Sequence, residues 1–319
     1  MSLNQVAVIG LGLIGGSLAR DLRRLNLCKK IIGVDSSPKH RSMALQLQLV
    51  DEVWGSTTTE NGEVEFVFDA AIEEKKSLPQ KNPLQNCDLV VLAIPVTGIE
   101  KLLPQILDKI SATSTVIDMG STKLNITRQV SQHPQRSQFV AVHPMAGTEH
   151  SGPAAALEEL FYNKTVVLCD AEKSGVLHLE KVKSLFQTLH SRLVYMSSAD
   201  HDLHVAYVSH LSHISSFVLA QTVLKKEKNE KAIFDLAAGG FESTVRLAKS
   251  APSTWAPIFA QNRQHVLEAV EAYLQHLTQF RDDLKNQKDE ALVDFMQQAG
   301  DIRRVLLQIN NNKNNSTGV

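Results

Sequence analysis

Apolar and polar positions follow a recurring order along the first part of the chain: a short continuous apolar run, a turn, then apolar residues at helical spacing. Residues 6–9 form the first run, and Leu18, Leu22 and Leu25 mark the helix after it. Further runs lie at 89–95, 114–120, 139–144 and 165–170, with helical patterns at 98–110 and 123–132. Strands that are apolar throughout and alternate with helices predict an α/β fold with a mostly parallel, doubly wound sheet, covered on both faces. Residues 56–86 break the rhythm with a charged, Pro-containing insertion holding a candidate strand at 64–68, read as surface elaboration.

Past residues 193–196 the pattern changes. A helical repeat begins at Ser198 and runs to about Lys226, and strand signals all but vanish. Between 255 and 286, Val266, Val270, Tyr273, Leu277, Phe280 and Leu284 alternate spacings of four and three. That is the apolar seam of packed helices, and it needs a partner helix from this chain or a second copy. Symmetric homodimers are the commonest solution. The expected division is a sheet domain over 1–196, an all-helical dimerisation domain over 197–309, and a polar, disordered tail over 310–319.

Gly10, Gly12 and Gly15 form G-x-G-x-x-G between the first apolar run and its helix, and a second run ends at Asp35, twenty residues past Gly15. The strand before, the helix after and the acidic residue at that distance make this a Rossmann-type dinucleotide site. Gly10 permits the tight turn, Gly12 lets backbone approach a pyrophosphate, and Gly15 lets helix lie close to strand. The Gly12-Leu13-Ile14 turn and the helix start then present N–H groups to phosphate. A carboxylate at Asp35 accepts both ribose hydroxyls and repels a 2′-phosphate, so NAD is favoured over NADP; Lys39 and Arg41 are the nearest cations that could reach.

Composition narrows the classes. The chain has 319 residues and a net charge of -1 with both signs mixed, which argues against a nucleic acid or an anionic membrane as partner. No apolar stretch approaches the roughly 20 residues of a membrane span. The first strand begins so early that no secretory signal is expected. Cys28, Cys87 and Cys169 are far apart and odd in number, which fits a reducing cytoplasm and small buried residues.

Ligands bind beyond the carboxyl ends of an open parallel sheet. Three segments end there: AIPV (93–96), with Pro95 and Val96 near the cofactor, DMGSTK (118–123), with Ser121 and Lys123, and HPMAGTEHSG (143–152), with His143 and Glu149. A strand-end histidine is a natural general base near neutral pH. In the helical part, HDLHVAYVSHLSHISS (201–216) carries four histidines. On an ideal helix of about 100° per residue, His210 falls about 180° from His201, so the pairs His201/His204 and His210/His213 face apart and no metal site is expected. Ser209, His210 and His213 share one side and suit a polar cleft. Arg246, within GGFESTVRLAK, either captures a carboxylate bidentately or pairs with Glu242 four residues earlier.

Taken together, GLGLIGGS, DMGSTK, HPMAGTEHSG, SHLSH and GGFESTVRLA resemble the prephenate/arogenate dehydrogenase family of tyrosine biosynthesis, over almost the whole chain. The resemblance implies NAD-dependent oxidative decarboxylation of prephenate to 4-hydroxyphenylpyruvate, or of arogenate to tyrosine. It implies that His143 accepts the 4-hydroxyl proton, that Ser121 orients hydroxyl, His143 and nicotinamide, and that Arg246 binds the ring carboxylate with Lys123 in support. Glu149, Ser209, His210 and His213 would line the rest of the pocket, with His213 near the substrate side chain. A cationic His213 would favour prephenate. Ser212 departs from the family's usual proline in SHLPH. With no chorismate mutase region before residue 1 and no regulatory region after 310, tyrosine inhibition is expected to be competition at the active site. A 3-hydroxyacid-type dehydrogenase is the more distant alternative; it would use a helical-domain lysine, and the nearby Lys225, Lys226 and Lys228 cluster at a solvated helix end.

Overall fold

The computed structural model describes residues 2–68 and 82–307. Among these, nine strands form one sheet: β1 (Leu3–Ile9), β2 (Cys28–Val34), β3 (Glu52–Thr58), β4 (Val64–Phe68), β5 (Leu89–Leu92), β6 (Thr115–Asp118), β7 (Phe139–Pro144), β8 (Thr165–Cys169) and β9 (Arg192–Met196). Their spatial order is β4-β3-β2-β1-β5-β6-β7-β8-β9. Pairing is parallel except at β3–β4 and β7–β8, so the doubly wound, parallel-dominated sheet expected from the pattern is present.

Helices α1 (Leu13–Arg24), α2 (Pro38–Gln46), α3 (Val96–Lys109), α4 (Leu124–Gln129) and α5 (Val176–Thr188) cover the sheet. Side chains of successive strand residues enter opposite cores, as a pleated backbone requires. Val6 and Val8 of β1, with Leu89 and Val91 of β5, pack against Leu18 and Leu22 of α1 and Phe186 of α5. Ala7 and Ile9, with Val90 and Leu92, pack on the other face against Leu103 and Ile106 of α3 and Ile126 of α4. Two-sided burial is why these strands are apolar at every position.

The insertion at 56–86 adds the antiparallel β3–β4 edge; its residues 69–81 lie outside the described residues, as does the tail over 310–319. Beyond β9 the described residues form helices: α6 (Ser198–Val205), α7 (Leu211–Glu227), α8 (Gly239–Val245), α9 (Pro252–Gln261), α10 (Arg263–Lys285) and α11 (Asp289–Ala299). Ser197 begins α6 by accepting a hydrogen bond from Asp200 N at 3.0 Å. Between α6 and α7, residues Ala206–His210 form a π-helical segment. Each residue there advances the helix by less than the ideal angle, so the opposition of His201 and His210 expected from 100° steps does not hold.

The seam on α10 is divided. Val266 is buried with Ala206 and Ala269, and Val270 packs on that cluster. Phe280 meets Phe295 of α11 at 5.7 Å, whereas Tyr273, Leu277 and Leu284 stay exposed on this chain. No helix among the described residues is long and apolar enough to cross a membrane.

Candidate active site

The carboxyl ends of β1, β5, β6 and β7 open into a cavity of about 560 Å³ that the helical part closes from the other side. Gly12, Leu13, Ile14 and Pro95 line one end; Ser121, His143 and Glu149 line the middle; Ser209, His213, Arg246 and Trp255 come from the helices. That volume suits an organic cofactor together with a small substrate.

The glycines divide their work as expected. A Cβ on Gly10, which has φ +97°, would lie 2.3 Å from Ala93 O, and one on Gly15 would lie 2.0 Å from Gly10 O. A Cβ on Gly12 would meet nothing within 4 Å. Backbone therefore crowds Gly10 and Gly15 but leaves the approach to Gly12 open. Asp35 stands at the end of β2, where Oδ2 accepts from Leu11 N at 3.0 Å and Oδ1 from Ser37 N at 2.8 Å. His40 Nδ1 also lies 3.4 Å from Oδ2, so Oδ1 is the oxygen that keeps a lone pair for a hydroxyl. Arg41 turns its guanidinium onto the loop backbone, with Nη1 donating to Asp35 O at 2.8 Å and Ser36 O at 3.1 Å. The residues present thus fit a dinucleotide whose ribose hydroxyls meet Asp35.

His143 is the penultimate residue of β7 and is almost wholly buried. Burial holds its pKa well below the ordinary value, reinforced by His201, Lys123 and His210 nearby, so the ring is a neutral base at neutral pH. Its Nδ1 lies 2.7 Å from His201 Nε2, and His201 Nδ1 lies 2.7 Å from Asp202 Oδ1. These two α6 residues were not read from sequence as partners of His143, which is 58 positions away. The adjacent His201 and Asp202 near the start of α6 are the sequence signal for such a pair.

Two expected pocket residues sit elsewhere. Lys123 is fully buried beneath the site, paired with Asp118 and donating to Val142 O at 2.8 Å. It is committed to joining β6 to β7 and does not line the cavity as a supporting cation. His210 is also buried, edge-on to Trp255 at 5.9 Å and to Phe259 at 6.3 Å, with Asn262 Nδ2 at 3.3 Å from its Nδ1. Burial pushes its pKa down to about 4, and it packs behind the cavity wall because the π-helical segment turns it inward. His213 does line the cavity, stacked on Trp255 at 3.5 Å, with Nδ1 2.9 Å from Ser209 O. Burial lowers its pKa as well, so it presents a neutral ring rather than the cation expected of it. Trp255 was read only as the start of a helical stretch.

Arg246 takes a partner that neither alternative named. Its Nη1 lies 3.7 Å from Glu149 Oε2, and both residues line the cavity, so its partner is Glu149 rather than Glu242. A hydrogen bond from its own backbone N–H holds the Glu149 carboxyl below the usual range. Among the described residues, no group of three or more His, Cys, Asp or Glu is placed to hold a metal ion.

Two family models match successive parts of the chain. "Prephenate dehydrogenase, nucleotide-binding domain" matches residues 68–195, and "Prephenate dehydrogenase, dimerization domain" matches 197–298. A broader model, "NADP oxidoreductase coenzyme F420-dependent", matches 5–122. A crystal structure of prephenate dehydrogenase from A. aeolicus, in complex with hydroxyphenyl propionate and NAD+, is 30% identical with a TM-score of 0.80, covering 96% of this chain and 99% of that one. The chain belongs to the prephenate dehydrogenase family. The family's spread is visible in other relatives. Synechocystis arogenate dehydrogenase is 30% identical with a TM-score of 0.69, over 95% of this chain and 99% of that one. Prephenate dehydrogenase of Bacillus subtilis is 29% identical over 93% of this chain and 75% of its own length. Cyclohexadienyl dehydrogenase of Zymomonas mobilis is 26% identical over 94% of this chain and 95% of its own. Like those relatives the chain is an oxidoreductase by family.

Proposed function

We propose that the chain catalyses NAD-dependent oxidative decarboxylation of prephenate to 4-hydroxyphenylpyruvate. The observation that carries this reading is the convergence of His143, Ser121 and Arg246 on one cavity that Gly12, Leu13 and Ile14 also line. Bound NAD supplies the hydride acceptor. The neutral imidazole of His143 takes the proton of the substrate's 4-hydroxyl as the C–H bond at that carbon breaks. Ser121, at the turn after β6, orients that hydroxyl, and Pro95 with Leu13 and Ile14 walls the cofactor side. Arg246 binds the ring carboxylate that leaves as CO₂, holding it in the geometry where ring aromatisation drives the loss. Glu149, Ser209 and His213 line the side-chain end.

Arogenate is the second reading, favoured by two features of the cavity. Burial lowers the His213 pKa, which makes it a weaker cation toward the pyruvyl carboxylate, while Glu149 is a carboxylate able to meet an ammonium. NADH formation measured in parallel with prephenate and arogenate, each with NAD and NADP, decides between them. Turnover of neither substrate would remove the proposal.

We further infer a homodimer built through the helical part, supported by the exposed half of the α10 seam and by the dimerization-domain match. Three free cysteines fit a reducing cytoplasm. Burial drives the Cys28 and Cys87 thiols up to about 11, so neither is a nucleophile at neutral pH.

A further inference from the structure

We propose that His201 and Asp202 are positioning residues that lock His143 into the tautomer with hydrogen on Nδ1 and a bare, proton-accepting Nε2.

The assignment follows from counting donors. Asp202 Oδ1 accepts from Lys123 N at 2.8 Å and Oδ2 from Leu124 N at 2.9 Å. A carboxylate already receiving backbone N–H groups on both oxygens acts only as acceptor. His201 Nδ1, 2.7 Å from Oδ1, therefore carries hydrogen. Burial lowers the His201 pKa, so the ring is neutral and its Nε2 is bare. His143 Nδ1, 2.7 Å from that nitrogen, must then be the donor. Nε2 of His143 is left as the lone-pair nitrogen for the cavity that His143 lines.

Other titratable groups near the ring leave this order intact. Lys123 is held by Asp118 and Val142 O, and His210 contacts Asn262. The two imidazoles meet edge to face, with centroids 5.0 Å apart and planes at 72°. When Nε2 takes the substrate proton, no second transfer is required. Both nitrogens of His143 then carry hydrogen, the Nδ1–H bond to His201 becomes charge-assisted, and the Asp202 carboxylate faces the new positive charge through one ring. Asp202 also holds the first N–H groups of α4, so the turn bearing Ser121 and the base are fastened to the same side chain.

This role rests on the dehydrogenase reading, but its direct test does not. In the apo protein with 15N-labelled histidines, the His143 signals should show a protonated Nδ1 and an unprotonated Nε2, assigned by their loss in His143→Asn. The reverse pattern overturns the proposal whatever the substrate proves to be. His201→Phe keeps a flat ring in place and removes both nitrogens. It should lower kcat about tenfold or more, leave KM for NAD and substrate within about twofold, and give a mixed tautomer signal at His143. A kcat within about twofold of wild type overturns the proposal. If the variant does not fold, the wild-type spectrum alone decides. A correct tautomer in a protein that turns over neither substrate sinks the function and leaves the positioning chain standing.

Discussion

Arg246 Nη1 lies 3.7 Å from Glu149 Oε2, joining the helical part of the chain to the loop that follows β7. The Arg246 side chain is 53% exposed, so the pair adds little to stability, and its guanidinium remains open to a carboxylate ligand. Arg246→Ala should raise KM for the substrate about tenfold or more, while the melting temperature stays within about two degrees. Initial-rate kinetics beside a thermal melt check this; an unchanged KM would return Arg246 to a surface ion pair.

His143 presents a ring with a lowered pKa to the cavity. His143→Asn should reduce kcat by about 10²–10⁴ with KM for substrate nearly constant, because the ring acts chiefly in the transition state. Full turnover in the variant would remove the residue from its role.

The glycine turn separates folding from binding. Gly15→Ala places a Cβ against the Gly10 carbonyl and should cost about 3 kcal/mol or more, read as a lower denaturation midpoint. Gly12→Ala enters open space, so it should melt like the wild type and yet bind NAD more weakly. Equal NAD affinity in Gly12→Ala would mean that the dinucleotide does not approach that turn.

Stability should fall on the acid side of neutrality. His143, His201 and His210 are buried with lowered pKa values, chiefly through burial. The unfolded chain takes up protons at these rings as pH drops through about 6.5, while the folded state resists, His210 until about 4. Their contribution is complete above about 6.5 and is lost progressively toward 4, at up to about 1.4 kcal/mol per pH unit for each ring. Urea midpoints measured across that range should decline steadily with acidification. A flat profile would show the rings to be charged in the folded protein.

Much of this was legible in the residues because its causes are local. The G-x-G-x-x-G turn is a short-range steric requirement, and the structure shows Gly10 and Gly15 pressed against backbone and Gly12 clear of it. The strands at 89–92, 115–118, 139–144 and 165–169 follow from continuous apolar runs. Lys123 and His210 were misplaced for a different reason. A motif marks residues as close to a site without saying which side of a strand or helix faces the cavity. Lys123 falls inward onto Asp118, and the π-helical segment rotates His210 behind Trp255.

The chain alone determined the dinucleotide turn, the acidic residue that follows it, the doubly wound sheet, the helical later part and the strand-end histidine, since each is set by spacing within one strand, turn or helix. Only tertiary structure decided that Arg246 meets Glu149 rather than Glu242, that His213 lies neutral on Trp255, and that Asp202 and His201 stand behind His143. Those contacts join residues far apart along the chain. Their partners, and the burial that holds the rings neutral, come into being only when the helices close over the sheet.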